Sequence, residues 1–369
     1  MHSKPMAGMM EMISPQPGFR FYGWIETGIT GNFAFPGDNQ NFGRLLDDRA
    51  NEPLLNQFVL GAERGLDPSM ADGLDWAFRG PVSLRQRHAL IKIHRMAHFP
   101  VRGTAGGLDV KLGEFMTYFG ADMSDPRYNV FYSRDYIFNF GCPFYGTGAL
   151  LTLHAAPKLD LYAGIDRGVN VALEDNNDSM SFYGGAMMHC CEGKACCVAM
   201  LHAGPEDPRN NRDGHYLSDI VTTWKITDKL TSITDINFIY EESVNAKGYG
   251  IAQYLTYAIN DCCTIGIRGE VWRDADGFFV AQFASPNDFI HFERGDDTVF
   301  DPRTVGGGRT TYGAITAGLT IKPTVPAPLT GLMIRPEIRY DWSLNGTHPF
   351  NDSSDQEMFT AAVDVMVTF

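Results

Sequence analysis

The chain has 369 residues and a formal net charge of −14. No run of about 18 apolar residues occurs, which excludes a transmembrane helix, and the acidic balance argues against nucleic acid as a partner. The length fits either two ordinary domains or one large β structure.

The first 18 residues lack the apolar core of a signal peptide. We therefore expect a processed chain whose residues 1–18 form a flexible tail. The methionines of this stretch, together with His2, leave copper binding as a weaker alternative.

Residues 19–144 predict several strands, some with regular alternation and some without. Residues 19–30 (FRFYGWIETGIT) alternate, with Arg20 and Glu26 on the same face as two aromatic residues. After a long polar stretch, 55–66 and 107–118 predict further strands. Between them, 74–102 predicts two less regular strands, and 119–144 is a long loop rich in aromatic residues.

From residue 145 onward, the pattern becomes regular. Short turns alternate with longer polar segments, which predicts hairpins. The predicted strands are Tyr145–Ala155, Lys158–Gly168, Met180–Cys190, Ala195–Gly204, Leu217–Ile226, Leu230–Glu241, Gly248–Ile259, Cys262–Arg273, Thr310–Lys322, Leu332–Ser343 and Glu357–Phe369.

This rhythm predicts an all-β fold, namely a transmembrane antiparallel up-and-down β-barrel over residues 19–369. About 16 strands fit an even count, and 14 is the fallback if 74–102 holds no strand pair. With residues 1–18 as a periplasmic tail, every short turn falls on the periplasmic side and the long loops are extracellular. The final strand (EMFTAAVDVMVTF) should then close the barrel by pairing with the first.

Charged residues occupy one face of several predicted strands. Four of them alternate through Leu332–Ser343, and such a face can enter neither lipid nor a dry core without partners. On the final strand, Asp364 shares this face, with Arg335 or Arg339 as its expected partner. We predict the following pore-lining residues: Arg20, Glu26, Arg268, Glu270, Arg335, Glu337, Arg339, Asp341 and Asp364. The alternative is a set of ion pairs that brace a filled barrel.

Four stretches resemble the OmpL-like putative β-barrel porin family of bacterial outer membranes. They are GLDVKLGEF (107–115), NVFYSRDYIFNFGCPFYGTGALLT (129–152), GIRGEVWRDADG (266–277) and IRPEIRYDWS with HPF and the terminal Phe (334–369). The resemblance implies an exported, non-enzymatic, pore-forming barrel. The chain departs from the family pattern at 79–104.

By this resemblance, the loop at 119–144 folds inward and narrows the pore. The residues that would form the constriction are Arg127, Tyr132, Arg134, Asp135 and Tyr136. The alternative is an outer loop that packs on its neighbours.

Six of the seven cysteines lie at two predicted turns, with two adjacent pairs flanking the first turn at 192–194, and Cys142 lies in the long loop. Their CC-x4-CC spacing, with His189 beside it, fits no standard zinc site. We expect cross-strand disulfides or plain small residues at the barrel rim, with at least one unpaired thiol because the number is odd.

Other candidate sites for metals or phosphate are weaker. On a strand, His94 and His98 lie too far apart to share a metal, and the acidic turn at Asp274 and Asp276 lacks the ligand pattern of an EF-hand. Gly306 to Gly308 precede no helix that could hold phosphate. We expect no metal or cofactor, with calcium at acidic extracellular loops as a minor alternative.

The sequence favours an outer-membrane porin, a passive channel for small hydrophilic solutes or ions. Its expected partners are the lipid bilayer, lipopolysaccharide or an equivalent outer leaflet, and, by analogy, two further copies in a homotrimer. The first alternative is an envelope structural or attachment protein that uses the barrel as an anchor. The second is a barrel enzyme, although no Ser/His/Asp arrangement stands out.

Overall fold

The structure, a computed structural model, describes residues 18–65, 75–85, 88–91, 94–99, 101, 103–171, 177–207, 210–280 and 307–369, and only the backbone of the strands within 75–98. The strands are β1 (Gly18–Asn32), β2 (Pro53–Gly65), β3 (Asp75–Arg85), β4 (His88–Ile91), β5 (His94–Phe99), β6 (Gly107–Met116), β7 (Tyr145–Ala156), β8 (Leu159–Asp166), β9 (Ser181–Cys190), β10 (Ala195–Pro205), β11 (Gly214–Lys225), β12 (Leu230–Glu241), β13 (Ala246–Ala258), β14 (Cys263–Asp274), β15 (Thr311–Ile321), β16 (Gly331–Ser343) and β17 (Glu357–Thr368). The helices are α1 (Tyr136–Gly141) and α2 (Phe350–Ser353), with 3-10 turns at Pro126–Tyr128 and Cys191–Gly193.

Within the described ranges, 17 strands form one antiparallel sheet that closes on itself. Both β4 and β5 pair with β3 at successive stretches, so 17 segments fill sixteen positions around the barrel. The prediction of about 16 strands is confirmed, as is a pair of strands in 74–102. Of the helices in the described ranges, none has the length and apolar character to cross a membrane.

The final strand closes the barrel. It pairs with β16 on one side and with β1 on the other, where Gly28 lies opposite Asp364. The terminal Phe369 exchanges two backbone hydrogen bonds with Gly23, at 2.9 and 3.0 Å. The sequence-based prediction of this closure is confirmed.

Side chains alternate between the two surfaces of the barrel because neighbouring residues of a strand point to opposite faces. Along β17 the odd-numbered residues face outward, and the even-numbered ones from Met358 to Met366 are buried inside. Exposed aromatic residues mark both ends of the outward band, including Tyr216 and Tyr249 at one end, and Trp224 and Tyr257 at the other. Such aromatic girdles are typical of strands that span an outer membrane.

The connections differ in length between the two ends of the barrel. Short turns at 157–158, 191–194, 226–229 and 259–262 lie at the end that holds Phe369, and short turns are typical of the periplasmic end of outer-membrane barrels. The long connections at 33–52, 117–144 and 344–356 join strands at the opposite end, as extracellular loops do in such barrels. The predicted tail at residues 1–17, the side chains of His94 and His98, and Gly306 lie outside the described residues.

Candidate functional site

The segment 117–144, here called the inner segment, lies inside the barrel against the inward faces of several strands. Every residue from 131 to 140 is buried. Its apolar side chains, such as Phe119 and Phe140, join one cluster with inward-facing residues of the wall such as Tyr183 and Trp272. The burial of a whole loop predicts that its backbone polar groups find partners inside the barrel.

Local hydrogen bonds give the inner segment its shape. The carboxylate of Asp125 accepts from the backbone amide of Arg127 and begins the 3-10 turn. Asp135 plays the same role for α1, since its side chain accepts from the amide of Phe138 at 2.7 Å. Both are N-caps, which satisfy the first amides of a helical turn. Asn129 ties the turns together by two hydrogen bonds to the backbone of Met123.

Carboxylates from four different strands hold the inner segment by its backbone. Each accepts a hydrogen bond from an amide N–H of the segment, a charge-assisted bond that does not depend on the donor's side chain. The bonds are Gly120 to Asp219 at 2.8 Å, Ala121 to Asp235 at 2.6 Å, Tyr132 to Glu337 at 2.8 Å and Tyr136 to Glu270 at 2.7 Å. The segment is therefore fixed to β11, β12, β14 and β16.

Three arginines on the wall bind carbonyl groups of the same segment. Arg335 donates to the carbonyls of Pro126 and Asn129, and Arg339 donates to the carbonyl of Arg134 at 2.7 Å. Arg268 donates to the carbonyl of Ser133 at 3.0 Å. Wall carboxylates thus bind the segment's amides, whereas wall arginines bind its carbonyls.

Ion pairs neutralise these buried arginines. Arg335 contacts Asp364 at 2.5 Å and Glu26 at 3.0 Å, which confirms Arg335 as the partner expected for Asp364. Arg339 contacts Asp341 at 2.8 Å and Glu270 at 3.1 Å. A buried guanidinium needs such partners because an unpaired charge is very unfavourable away from water.

Glycines lie at close contacts between the inner segment and the wall. A Cβ built on Gly266 would lie 2.9 Å from Val130 and 3.1 Å from the ring of Phe131. A Cβ on Gly141, within the segment itself, would lie 2.7 Å from Trp272. These contacts let loop and wall approach more closely than side chains would allow.

Of the nine residues predicted to line a pore, eight are buried and one is exposed. The exposed one is Arg20, near the periplasmic end, where it pairs with Glu63. The other eight face the interior, as the alternation predicts, but the inner segment covers them. Their expected contact with water is not what the structure shows, because the backbone of the segment replaces water as their partner. Their part in solute passage stays a prediction.

The five residues predicted to form the constriction all lie in the inner segment, and four of them are buried. The exception is Arg127, which is half-buried with its guanidinium 4.1 Å from the ring centre of Trp24. The hydroxyl of Tyr136 donates to Asp341 at 3.0 Å. Arg134 uses its side chain to bind the carbonyls of Phe131 and Tyr132. Constriction of a pore by these residues stays a prediction.

Burial raises the pKa of Asp135 to about 7, and the neighbouring carboxylates of Asp122 and Glu270 add to this shift. The Arg268 guanidinium and the hydroxyl of Tyr254, which donates at 2.6 Å, oppose it. Asp135 therefore changes its charge near neutral pH while the segment is in place.

Sequence reasoning missed several charged residues of this site, including Arg44, Asp219 and Asp235. Arg44, in the loop 33–52, is fully buried and contacts Asp341 at 2.6 Å, and no local pattern points to it. Asp219 and Asp235 were also missed, although each lies on the buried inward face of its strand. Applying the face assignment to β11 and β12 would have found both.

All seven cysteines are free thiols. Cys190 lies opposite Ala195 and Cys196 opposite His189, so no two cysteines face each other across the hairpin. The expectation of cross-strand disulfides is therefore wrong for this register. Within the described ranges, no group of three or more His, Cys, Asp or Glu side chains is arranged to hold a metal ion.

Comparison with protein families gives one match, which covers residues 18–369. The family is described as putative beta-barrel porin-2, OmpL-like. No curated protein sequence matches the chain.

Several solved structures share the fold at low sequence identity. The outer membrane channel DcaP of Acinetobacter baumannii has a TM-score of 0.60 and 10% identity, over 95% of this chain and 97% of that one. An anion-selective porin from Comamonas acidovorans has a TM-score of 0.59 and 7% identity, over 96% and 100%. OprB of Pseudomonas putida has a TM-score of 0.57 and 11% identity, over 95% and 94%.

Proposed function

Because the chain belongs to the OmpL-like family of putative β-barrel porins, we propose that it is a passive diffusion channel for small hydrophilic solutes or ions. The barrel lies in the bacterial outer membrane, with its outward band in contact with lipid. In this proposal, the inner segment narrows the passage and sets its size limit.

The observation that carries this proposal is the fixation of the inner segment by wall charges. Amides of the segment bind carboxylates on four strands, and its carbonyls bind arginines on two. A loop held in this way keeps one position across the barrel interior, as a size-selective constriction requires. An outer loop without this role would need no charged partners inside the barrel.

We also propose that the protein is not an enzyme. The inward-facing arginines and carboxylates that could take part in catalysis bind one another or the inner segment. Contact of the extracellular end with lipopolysaccharide and assembly into a homotrimer are further proposals, which rest on the general behaviour of outer-membrane barrels.

One observation favours the alternative in which the barrel is an envelope anchor. The inward-facing charges of β14, β16 and β17 are almost completely shielded from water, as they would be in a filled barrel. In this alternative, the ion pairs stabilise a filled barrel interior. It predicts that no sugar crosses the membrane through the barrel.

Liposome swelling separates the two functions. Proteoliposomes containing the barrel should swell in small sugars if it is a porin, and an absence of swelling would establish the anchor. Deletion of 129–140 should raise the single-channel conductance in planar bilayers because it removes the most deeply buried part of the segment. Deletion of 210–212, in a different outer loop, serves as the control and should leave the conductance unchanged.

A further inference from the structure

The periplasmic end of the barrel interior differs from the buried region around the inner segment. Here, inward-facing side chains of β1, of the inner segment and of the residue after β15 are exposed or half-buried rather than buried. We call this group the vestibule; its described members are Arg20, Tyr22, Arg127, Tyr128 and Lys322.

Contacts link four of these residues, and the geometry of β1 places the fifth, Arg20, beside them. The Nζ of Lys322 donates to the carbonyl of Arg127 at 3.5 Å. The guanidinium of Arg127 lies 5.8 Å from the ring centre of Tyr22 and 5.5 Å from that of Tyr128. Arg20 is two residues from Tyr22 on the same face of β1, which places their Cα atoms about 7 Å apart.

Positive groups of the vestibule are closer to water than the negative ones. The side chain of Arg20 is 49% exposed and that of Arg127 is 22% exposed, whereas their partners Glu63 and Asp125 are 1% and 6% exposed. Lys322, which is half-buried, adds a third cation. A solute that enters from this end therefore meets N–H donors first, with the carboxylates behind them.

Aromatic rings lie among these cations. The rings of Tyr22 and Trp24 stack at a centroid distance of 6.1 Å and an interplanar angle of 14°. Arg127 covers the ring of Trp24, and the half-buried rings of Tyr22 and Tyr128 flank this arginine. Guanidinium groups bind carboxylates and also stack on planar rings, and aromatic side chains prefer offset or edge contacts with other rings.

We propose that the vestibule is a binding site for small aromatic carboxylates. The carboxylate binds the cations Arg20, Arg127 and Lys322, while the ring contacts Tyr22 or Tyr128. This inference names a solute class for the proposed channel and rests on that function. The proposal rests on the accessible positive charge of the vestibule, which contrasts with the protein's net charge of −14.

Isothermal titration calorimetry of the full-length barrel in detergent tests this inference with sodium benzoate as the probe. We expect saturable binding, with acetate and benzyl alcohol each at least about tenfold weaker because each lacks one half of the recognition. The double substitution R20Q/K322Q should weaken benzoate binding at least about tenfold. Lys194→Gln, at an exposed periplasmic turn outside the vestibule, should have no effect.

The inference is overturned if benzoate shows no saturable binding, or if R20Q/K322Q binds it as tightly as the unaltered protein does. Liposome swelling tests the proposed channel function independently of benzoate binding. Swelling in sugars without benzoate binding would remove the inference and leave the porin. Benzoate binding without swelling would support the site and remove the channel.

Discussion

The ring of Tyr132 occupies the space that a side chain at Gly28 would need. A Cβ built on Gly28 would lie 2.5 Å from the ring carbon Cζ of Tyr132, well inside van der Waals contact. The amide of Asn56 on β2 donates to the hydroxyl of the same tyrosine at 2.7 Å. The inner segment therefore packs against β1 and β2 at Gly28, where a side chain would overlap the ring of Tyr132.

Gly28→Val should displace Tyr132 and shift the inner segment. Because the amide of Tyr132 also binds Glu337, the displacement should break this bond and increase the single-channel conductance in planar bilayers. Gly269→Val is the matched control, since a Cβ at Gly269 meets nothing within 4 Å. Equal conductance of the two variants would show that Gly28 does not position the segment.

The sequence predicts the barrel well because a strand's side-chain period is a local property. Alternation placed Arg335 and Asp364 on inward faces, and strand order made them neighbours, so their contact followed. Fixation of the inner segment could not be predicted in the same way. Tyr132 and Glu337 are separated by 205 positions in the chain, and a local pattern carries no information on such a pair.

Burial of the inward-facing charged residues could likewise not be predicted from the sequence. The same alternation fits a wall that faces water and a wall that faces a polar backbone, since both environments satisfy charged side chains. Only the three-dimensional position of the inner segment distinguishes them. On the other side of the inner segment, apolar inward-facing residues of β7 to β12, such as Met200 and Leu217, are buried in one cluster with the segment's apolar side chains.

Arg335→Met should strongly destabilise the barrel. The substitution leaves Asp364 and Glu26 buried without their cation, and loss of one partner of a buried ion pair costs about 3–5 kcal/mol. Urea unfolding in detergent micelles measures this effect. The double variant R335M/D364N should recover part of the lost stability, because it also removes one of the two unpaired carboxylates.

The ion pair of half-buried Lys225 and exposed Asp228, 4.0 Å apart, is the control for this comparison because it lies at a solvent-accessible turn. Lys225→Met should leave the unfolding midpoint unchanged because exposed ion pairs contribute little. If Arg335→Met were as stable as Lys225→Met, the interior ion pairs would not stabilise the barrel.

The cysteines should react with a thiol reagent in order of exposure. Cys191 and Cys262 are exposed, whereas Cys142 and Cys196 are buried, and burial raises the pKa of the Cys142 thiol. A maleimide labels the thiolate, so mass spectrometry of the folded protein at pH 7 should find Cys191 modified and Cys142 unmodified. After unfolding, all seven should react. Early labelling of Cys142 would mean that the inner segment leaves the wall readily.

The position of Asp135 makes attachment of the inner segment depend on pH. With the segment in place, the pKa of Asp135 is about 7, against an ordinary value of 3.8. The attached state therefore binds more protons between these values, and attachment weakens as the pH rises through this window. Above pH 7 the ionised Asp135 is repelled by Asp122 and Glu270, whereas Arg268, Tyr254 and the amide of Phe138 stabilise its charge.

We therefore expect a higher single-channel conductance at pH 8 than at pH 5. Asp135→Asn removes the ionisable group while its side-chain oxygen can still accept the N-cap bond from Phe138. This variant should keep the low conductance at both pH values. If it retained the full pH dependence, another group would control attachment, and a conductance of the unaltered protein that falls from pH 5 to pH 8 would contradict the sign of the effect.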